Sequence, residues 1–462
     1  MARHASPGGA VQASPPRQTP PSAQRAGNAR LTELGLMAIA WIITSSFYVL
    51  ASLGSQNKIP ARFGWFLGGI VVVSLLMHFA IQRWAPQSSE VLLPIATLLN
   101  GIGYVEIARW NPPFASYQSL WFLISAIGLV VTLLVVRRTQ DLDRYRHMTL
   151  LVAIGLLLLP LVPHIGEDIN GARLWVKLGP LSFQPVEFAK ILLVFYFASY
   201  FASNRKLLTT PTMRVGGRLF VPPRALLPIL FAWGLAMAIL GAENDIGFAL
   251  LLFALFMSLL WVSTGLKTYV VLGVGLFAGS LFVLASLFSQ VHARVTIWLD
   301  PWSVCAKGGS CQIAYGWFSL AAGGATGTGL GLGHSGTVYN ITSDMIFAAV
   351  GEELGFLGLI LVLCLFVAFI GEGFRIAQRA HSDYARLAAT GLSAMIGFQA
   401  FFIMAGVLRI LPFTGLALPF MAYGGSSLFA NYVIVAILLR ISDENNTERK
   451  GGEIVAVNLA RK

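Results

Sequence analysis

The stretch TSDMIFAAVGEELGFLG, residues 342–358, sets three carboxylates, Asp344, Glu352 and Glu353, at the head of a long apolar run. Burying a bare charge is costly, so an acid in such a run must be protonated, paired or turned toward water. On a helix, Glu352 lies about 80° around from Asp344 and roughly 12 Å deeper, and Glu353 points about another 100° away. The three acids therefore have different surroundings. Ser343 or Thr342 suffices to cap the helix start, which leaves Asp344 spare, near water and able to stay ionised. An ionised carboxylate there has what general-base chemistry needs. Glu352 and Glu353 read as a deep pair that braces helices against each other.

Three other places combine charge with apolar surroundings. Glu187 and Lys190 follow Pro185 and lie three apart on one helix face. They read equally as an interfacial ion pair or as the charged wall of a cavity. Asp245, in GAENDIGFALLLF, opens an apolar run, where its default role is to cap the helix. Glu243 and Asn244 beside it read as solvated. In 164–190 an amphipathic segment puts Leu174, Trp175, Val176 and Leu178 at a membrane interface, with Arg173 and Lys177 turned to the polar layer. Cys305 and Cys311, in CAKGGSC, can close a small disulfide, free thiols being the alternative. Cys364 reads as a core residue. The glycine-rich AAGGATGTGLGLGHSGT lacks the GK[ST] ending and preceding strand of a phosphate loop, which argues against a nucleotide site. Flexible turns or an amphipathic surface segment account for its glycines.

The elements that carry these residues are membrane helices. Of 462 residues, 56% are hydrophobic and 11% charged, against about 25% charged in soluble domains. At about 20 apolar residues per span, twelve spans are expected, near 31–53, 64–82, 91–108, 116–137, 148–163, 187–203, 225–242, 246–263, 268–289, 344–371, 385–409 and 418–441. With the N-terminus cytoplasmic, 23 of the 32 Lys and Arg fall on cytoplasmic segments, counting Arg440 at the cytoplasmic end of the last span. That is the positive-inside pattern, so the net charge of +12 sets topology and calls for no nucleic acid. Residues 1–30, rich in Pro, Ala, Ser and Arg, read as a disordered cytoplasmic tail without a cleavable signal. The organisation expected is tail, N-terminal helices 31–137, a membrane core 148–441 with a long extracytoplasmic loop 290–343, and a second cytoplasmic tail 442–462. The fold class is all-α and polytopic, with the polar residues gathered toward the outer face.

Taken together, NGARLWVKLGPLSFQPVEFAKI, DIGFALLLF, SDMIFAAVGEELGFLG and LPFTGLALPFMAYGGSSLFANY resemble the hallmark segments of the SEDS family, in the family's order and spacing over about 148–441. Its members RodA and FtsW polymerise peptidoglycan in elongation and division. The resemblance implies a ten-helix core plus an added N-terminal helix pair, as in actinobacterial members. It also implies a glycosyltransferase acting on lipid II at the outer face of the plasma membrane, with a class B penicillin-binding protein as partner. The family's proposed catalytic acid falls on Asp344, its cavity Glu and Lys on Glu187 and Lys190, its PDLG acid on Asp245, and the Trp of its GARRW segment on Trp175. Asn244 replaces the usual proline, Val186 the usual serine and Ser343 the usual threonine. Arg409 has no counterpart role in that pattern. The segment GVLRILPFTGLALPFMAYGGSS resembles RodA more than FtsW.

The chemistry needs one base to deprotonate an acceptor 4-hydroxyl, and positive charge where the leaving diphosphate develops its own. Lys190, Arg173, Lys177 or a divalent cation (Mg or Mn) held by a carboxylate could supply that charge. Two other classes compete. A lipid II flippase calls for charges near the midplane, and a non-catalytic scaffold gives no reason to keep Asp344, Glu187, Lys190 and Asp245 at one depth.

Overall fold

In the computed structural model, residues 22–460 are described apart from 60–62, 170–171, 179–180, 211–212, 216–217, 221–222, 268, 272, 276–278 and 280–288. The helices are α1 (Ser22–Gln56), α2 (Phe63–Trp84), α3 (Leu92–Trp110), α4 (Pro112–Val135), α5 (Thr139–Arg144), α6 (Arg146–Leu158), α7 (Val186–Thr209), α8 (Pro223–Ala242), α9 (Ile246–Thr264), α10 (Ser289–Leu299), α11 (Pro301–Ala306), α12 (Gln312–Gly323), α13 (Ile346–Gln378), α14 (Asp383–Val407) and α15 (Gly425–Ala460). Among the described residues, eight helices are long and apolar enough to cross a membrane, so the chain is a multi-pass membrane protein. The expected span 268–289 lies largely outside the described residues, as do 1–21 of the tail.

Local chemistry sets the ends of these helices. Asn111 caps α4 by accepting from Phe114 N at 3.3 Å, with prolines at the first two positions. Ser382 caps α14 through Ala385 N, and α9 stops at Gly265 in the left-handed conformation, φ 72°. The centre of the bundle is α7, α14 and α15, whose spanning windows are 72%, 78% and 83% buried. Helices α1, α2 and α13 bury only 22%, 33% and 28% and form the outer ring.

The amphipathic segment within 164–190 is built of strands: β1 (Gly166–Ile169), β2 (Ala172–Leu178) and β3 (Leu181–Phe183) form an antiparallel sheet, pairing Glu167 with Trp175 and Lys177 with Ser182. Three expectations need correction. The tail does not stay irregular up to residue 30, since α1 begins at Ser22, and α15 carries the C-terminal segment on as helix to Ala460. Most of 290–343 is helical rather than loop. Cys364 lies exposed on the outer face of α13 instead of in the core.

The helix that follows Asp344 is broken. Gly355 sits at φ 67°, ψ −166° inside α13, which frees backbone groups on both sides of it. The glycine-rich loop fills that break. Thr328 N donates to Glu352 O at 2.9 Å and Gly329 N to Glu353 O at 3.1 Å, while Phe356 N and Leu357 N donate to Gly324 O and Ala325 O at 2.9 and 3.2 Å. A Cβ at Gly327 would collide with the Glu353 carbonyl, so the glycines serve close backbone approach.

Candidate functional site

A cavity of about 610 Å³ opens at the end of the bundle where α13 begins. One wall is α4, with Phe114, Tyr117 and Trp121; another is the hairpin, with Leu174 and Trp175. Glu187 of α7, Asp245 at the head of α9 and Asp344 just before α13 converge on it. The turn 415–427 closes it, its Tyr423 ring stacked on Phe114 at 4.3 Å.

Asp344 stands in a turn, not on the helix. Residues 342–345 precede the first helical residue, Ile346, and neither Thr342 nor Ser343 caps that helix. Burial pushes the Asp344 carboxyl up to about 7; hydrogen bonds from Asn340 and Ser343, and the Arg294 charge, hold it from rising further. It is a base whose ionised fraction changes near neutrality. Asp245 caps α9 through Phe248 N at 3.0 Å, yet its other oxygen has no partner among the described residues. Burial raises Asp245 to about 6, against the hydrogen bond from Phe248 and the Arg294 charge. Asn244, beside it, has φ 61°, which a proline ring could not adopt.

Sequence reasoning missed two groups here. Arg294 of α10 donates to Thr414 O at 3.0 Å, which holds its guanidinium in the fields of both Asp245 and Asp344. Burial lowers its pKa and the two carboxylates raise it; an arginine stays charged in such a setting. The available signal was a lone arginine in the mostly apolar VHARVTIWL. Glu243, read as solvated, is 1% exposed. Neither of its oxygens finds a partner among the described residues, and burial followed by the Asp245 charge lifts it to about 8.

The remaining expected residues divide. Lys190 pairs with Glu187 at 2.5 Å and donates to Gln399 at 2.7 Å. It stands behind Glu187, against a separate apolar void, and is not among the cavity-lining residues. Arg173 and Lys177 lie on the exposed side of the hairpin, facing Asp168 at 3.8 Å and Glu167 at 3.3 Å, and only Trp175 of that trio reaches the cavity. Arg409 binds the carbonyls of Trp298 and Leu299, each at 2.6 Å, and so ties α10 to the turn after α14. Cys305 and Cys311 are joined as a disulfide at the end of α11. Among the described residues no three His, Cys, Asp or Glu side chains converge as a metal-holding group.

Glu352 and Glu353 belong to a different cluster. Glu352 accepts from His334 N at 2.7 Å and from the Ser335 hydroxyl. Glu353 pairs with Arg109 of α3 and accepts from Gly331 N at 3.0 Å, while Arg109 also donates to Gly333 O at 2.5 Å. These acids hold the glycine-rich loop and do not touch the cavity.

Residues 105–447 match the family model FtsW/RodA/SpoVE, described as cell cycle protein. The peptidoglycan glycosyltransferase RodA of Mycobacterium tuberculosis (strain ATCC 25618 / H37Rv) is 38% identical over 446 residues, 93% of each chain. A probable peptidoglycan glycosyltransferase FtsW of Geobacter sp. (strain M18) is 33% identical over 71% of this chain and 86% of its own. A chain of a solved peptidoglycan synthase complex, reported for its coordination of polymerization and crosslinking, superposes with TM-score 0.63 at 25% identity over 78% of this chain and 98% of that one. The crystal structure of Thermus thermophilus RodA gives 0.53 at 25% identity, over 77% and 96%. The chain belongs to the FtsW/RodA/SpoVE family.

Proposed function

We infer that this chain is a peptidoglycan glycosyltransferase that polymerises lipid II into glycan strands for cell elongation. The observation that carries the mechanism is one constellation: Asp344 at the wall of the large cavity, with the charge of Arg294 acting on it. Asp344 takes the proton of the acceptor sugar's 4-hydroxyl as that oxygen attacks the donor's anomeric carbon. The new bond is C1–O4; the bond that breaks joins C1 to the lipid diphosphate, which leaves with its electron pair. One displacement inverts the anomeric centre and gives the β-linked strand. Arg294 does not itself line the cavity, but its charge acts on both Asp245 and Asp344, and it supplies positive charge for the departing diphosphate; Arg173 and Lys177 are exposed on the hairpin, and Lys190 is tied to Glu187 and Gln399.

Asp245 Oδ2, without a partner among the described residues, is the protein oxygen suited to meet a divalent cation (Mg or Mn) carried in by the diphosphate. Such an ion would neutralise phosphate charge, and none of the steps above depends on it. The flippase reading loses ground because Asp344, Asp245, Glu187 and Arg294 gather at one end of the bundle. The elongation role follows the RodA relatives, which match 92–93% of this chain where the FtsW relatives match 71–79%. The solved synthase complex supports a class B penicillin-binding protein as partner. Both termini are then cytoplasmic and the cavity extracytoplasmic, which agrees with the positive-inside count.

The test is purified protein with labelled lipid II. Polymer from the parent and none from Asp344→Asn, with both proteins equally well folded, is the expected result. Polymer at the parental rate from Asp344→Asn would remove that residue from the mechanism.

A further inference from the structure

The contacts of the added helix α1 point past lipid embedding. At the end of the bundle that carries the cavity, Gly54 of α1 lies so close to the loop after α12 that a Cβ there would collide with the Leu330 carbonyl oxygen. The approach is mutual: a Cβ at Gly331 would collide with the Ala51 carbonyl of α1, and Gly331 itself stands at φ 83°, where only glycine is unstrained. From the far side, Arg109 of α3 grips Gly333 O at 2.5 Å. The loop is thus wedged between α1, α3 and the break in α13, where Thr328 and Gly329 cap the carbonyls of Glu352 and Glu353. The stretch of α13 before Gly355 is a short rigid piece, and Asp344 sits two residues before it.

We infer that Gly54 is a positioning residue: the end of α1 sets the glycine-rich loop against the broken helix and thereby fixes where Asp344 stands in the cavity. This rests on the polymerase reading above. Residue 54 does not line the cavity, and the atoms nearest to it are those of the loop, so its influence passes through the loop. A base displaced by a fraction of an ångström loses rate in the chemical step while substrate binding is kept. Helix α1 then acts as a built-in brace for catalysis.

The experiment compares Gly54→Val with Gly35→Val, both in full-length protein. Gly35 lies in the same helix with nothing within 4 Å of an added Cβ, so the helix-propensity change is matched. Gly54→Val is expected to lower kcat for lipid II polymerisation at least tenfold, to leave KM within about twofold, and to shift the acid limb of the pH profile; Gly35→Val keeps all three. A second variant avoids strain in the helix: one glycine inserted between Leu330 and Gly331, matched by one inserted after Gly308, another turn glycine with open space around it. The first insertion should lower kcat with KM kept, and the second should not. Parental kcat in the Leu330 insertion, or in a folded Gly54→Val, overturns the inference. A parent protein that makes no polymer at all would instead defeat the polymerase reading on which it rests.

Discussion

Asp344 and the Glu352–Glu353 pair lie within ten residues of one another in the chain but belong to two acidic clusters that differ physically. Around Glu352 and Glu353, carboxylate oxygens are engaged by backbone amides, a serine hydroxyl and Arg109, in the dry space between α3 and α13. In the other cluster one Asp245 oxygen is left over, the pKa values of Asp344 and Asp245 rise toward neutrality, and a cavity stands in front of them. A carboxylate with its lone pairs filled by the protein is a structural part. One with spare lone pairs, a half-compensating cation and room for a ligand is equipped for chemistry.

The sharpest way to break this comparison is to cut the structural cluster. Arg109→Ala leaves Glu353 buried without its cation and should cost about 3–5 kcal/mol, read as a large fall in the thermal transition of the detergent-solubilised protein. A stable Arg109→Ala variant would show that the two clusters do not differ as described. In the cavity cluster the loss should fall on rate instead. Arg294→Gln should lower kcat about 10²–10³-fold, as expected for removing a donor that stabilises developing negative charge, with a thermal transition close to the parent's. Equal loss of stability and rate would move Arg294 to the structural side.

Lys190 tests the boundary between the two kinds. Lys190→Met removes the cation from Glu187, but Glu187 lines the cavity, so the expected loss in the thermal transition is smaller, about 1–3 kcal/mol. The least consequence belongs to the hairpin. Lys177 and Glu167 are solvent-exposed, and Lys177→Ala should change stability by about 0–1 kcal/mol and leave the rate unaltered. A tenfold rate loss there would return Lys177 to the candidates for binding diphosphate.

Much of this was legible in the sequence because charge in an apolar run is conspicuous. Asp344, Asp245 and Glu187 stood out for that reason, and all three reach one cavity. The structural reading of Glu352 and Glu353 followed from their depth on the helix. What escaped was whatever depends on backbone. The hairpin carried a period-two signal, Arg173, Trp175 and Lys177 alternating with Leu174 and Val176, but the apolar residues around it favoured an interfacial reading. The glycines of the loop read as flexibility, whereas they permit a backbone-to-backbone fit whose partner, the break at Gly355, leaves no trace in side-chain pattern. Arg294 was hidden because a cation in a segment taken for a loop needs no explanation. It becomes informative only once α10 turns it toward two acids brought from α9 and the head of α13. Glu243 was misread for the opposite reason, since a turn between two helices is ordinarily wet.

The central claim is that Asp344 is the base. Its raised pKa carries a sign that can be checked. The folded protein binds a proton here more tightly than the unfolded chain, so this group favours folding at low pH, and that contribution is lost as pH rises from the ordinary aspartate range through about 7. Asp344→Asn should therefore be the more stable protein at pH 8. Catalysis has the opposite dependence, because only the ionised carboxylate accepts a proton. The most direct measurement is the pH profile of kcat for lipid II polymerisation by the parent protein, with Asp344→Asn beside it. The account predicts a rate that climbs through about pH 7 to a plateau, and a variant at least 10²-fold slower whose residual rate lacks that limb. A flat parental profile between pH 5 and 8, or the same limb persisting in Asp344→Asn, would contradict it.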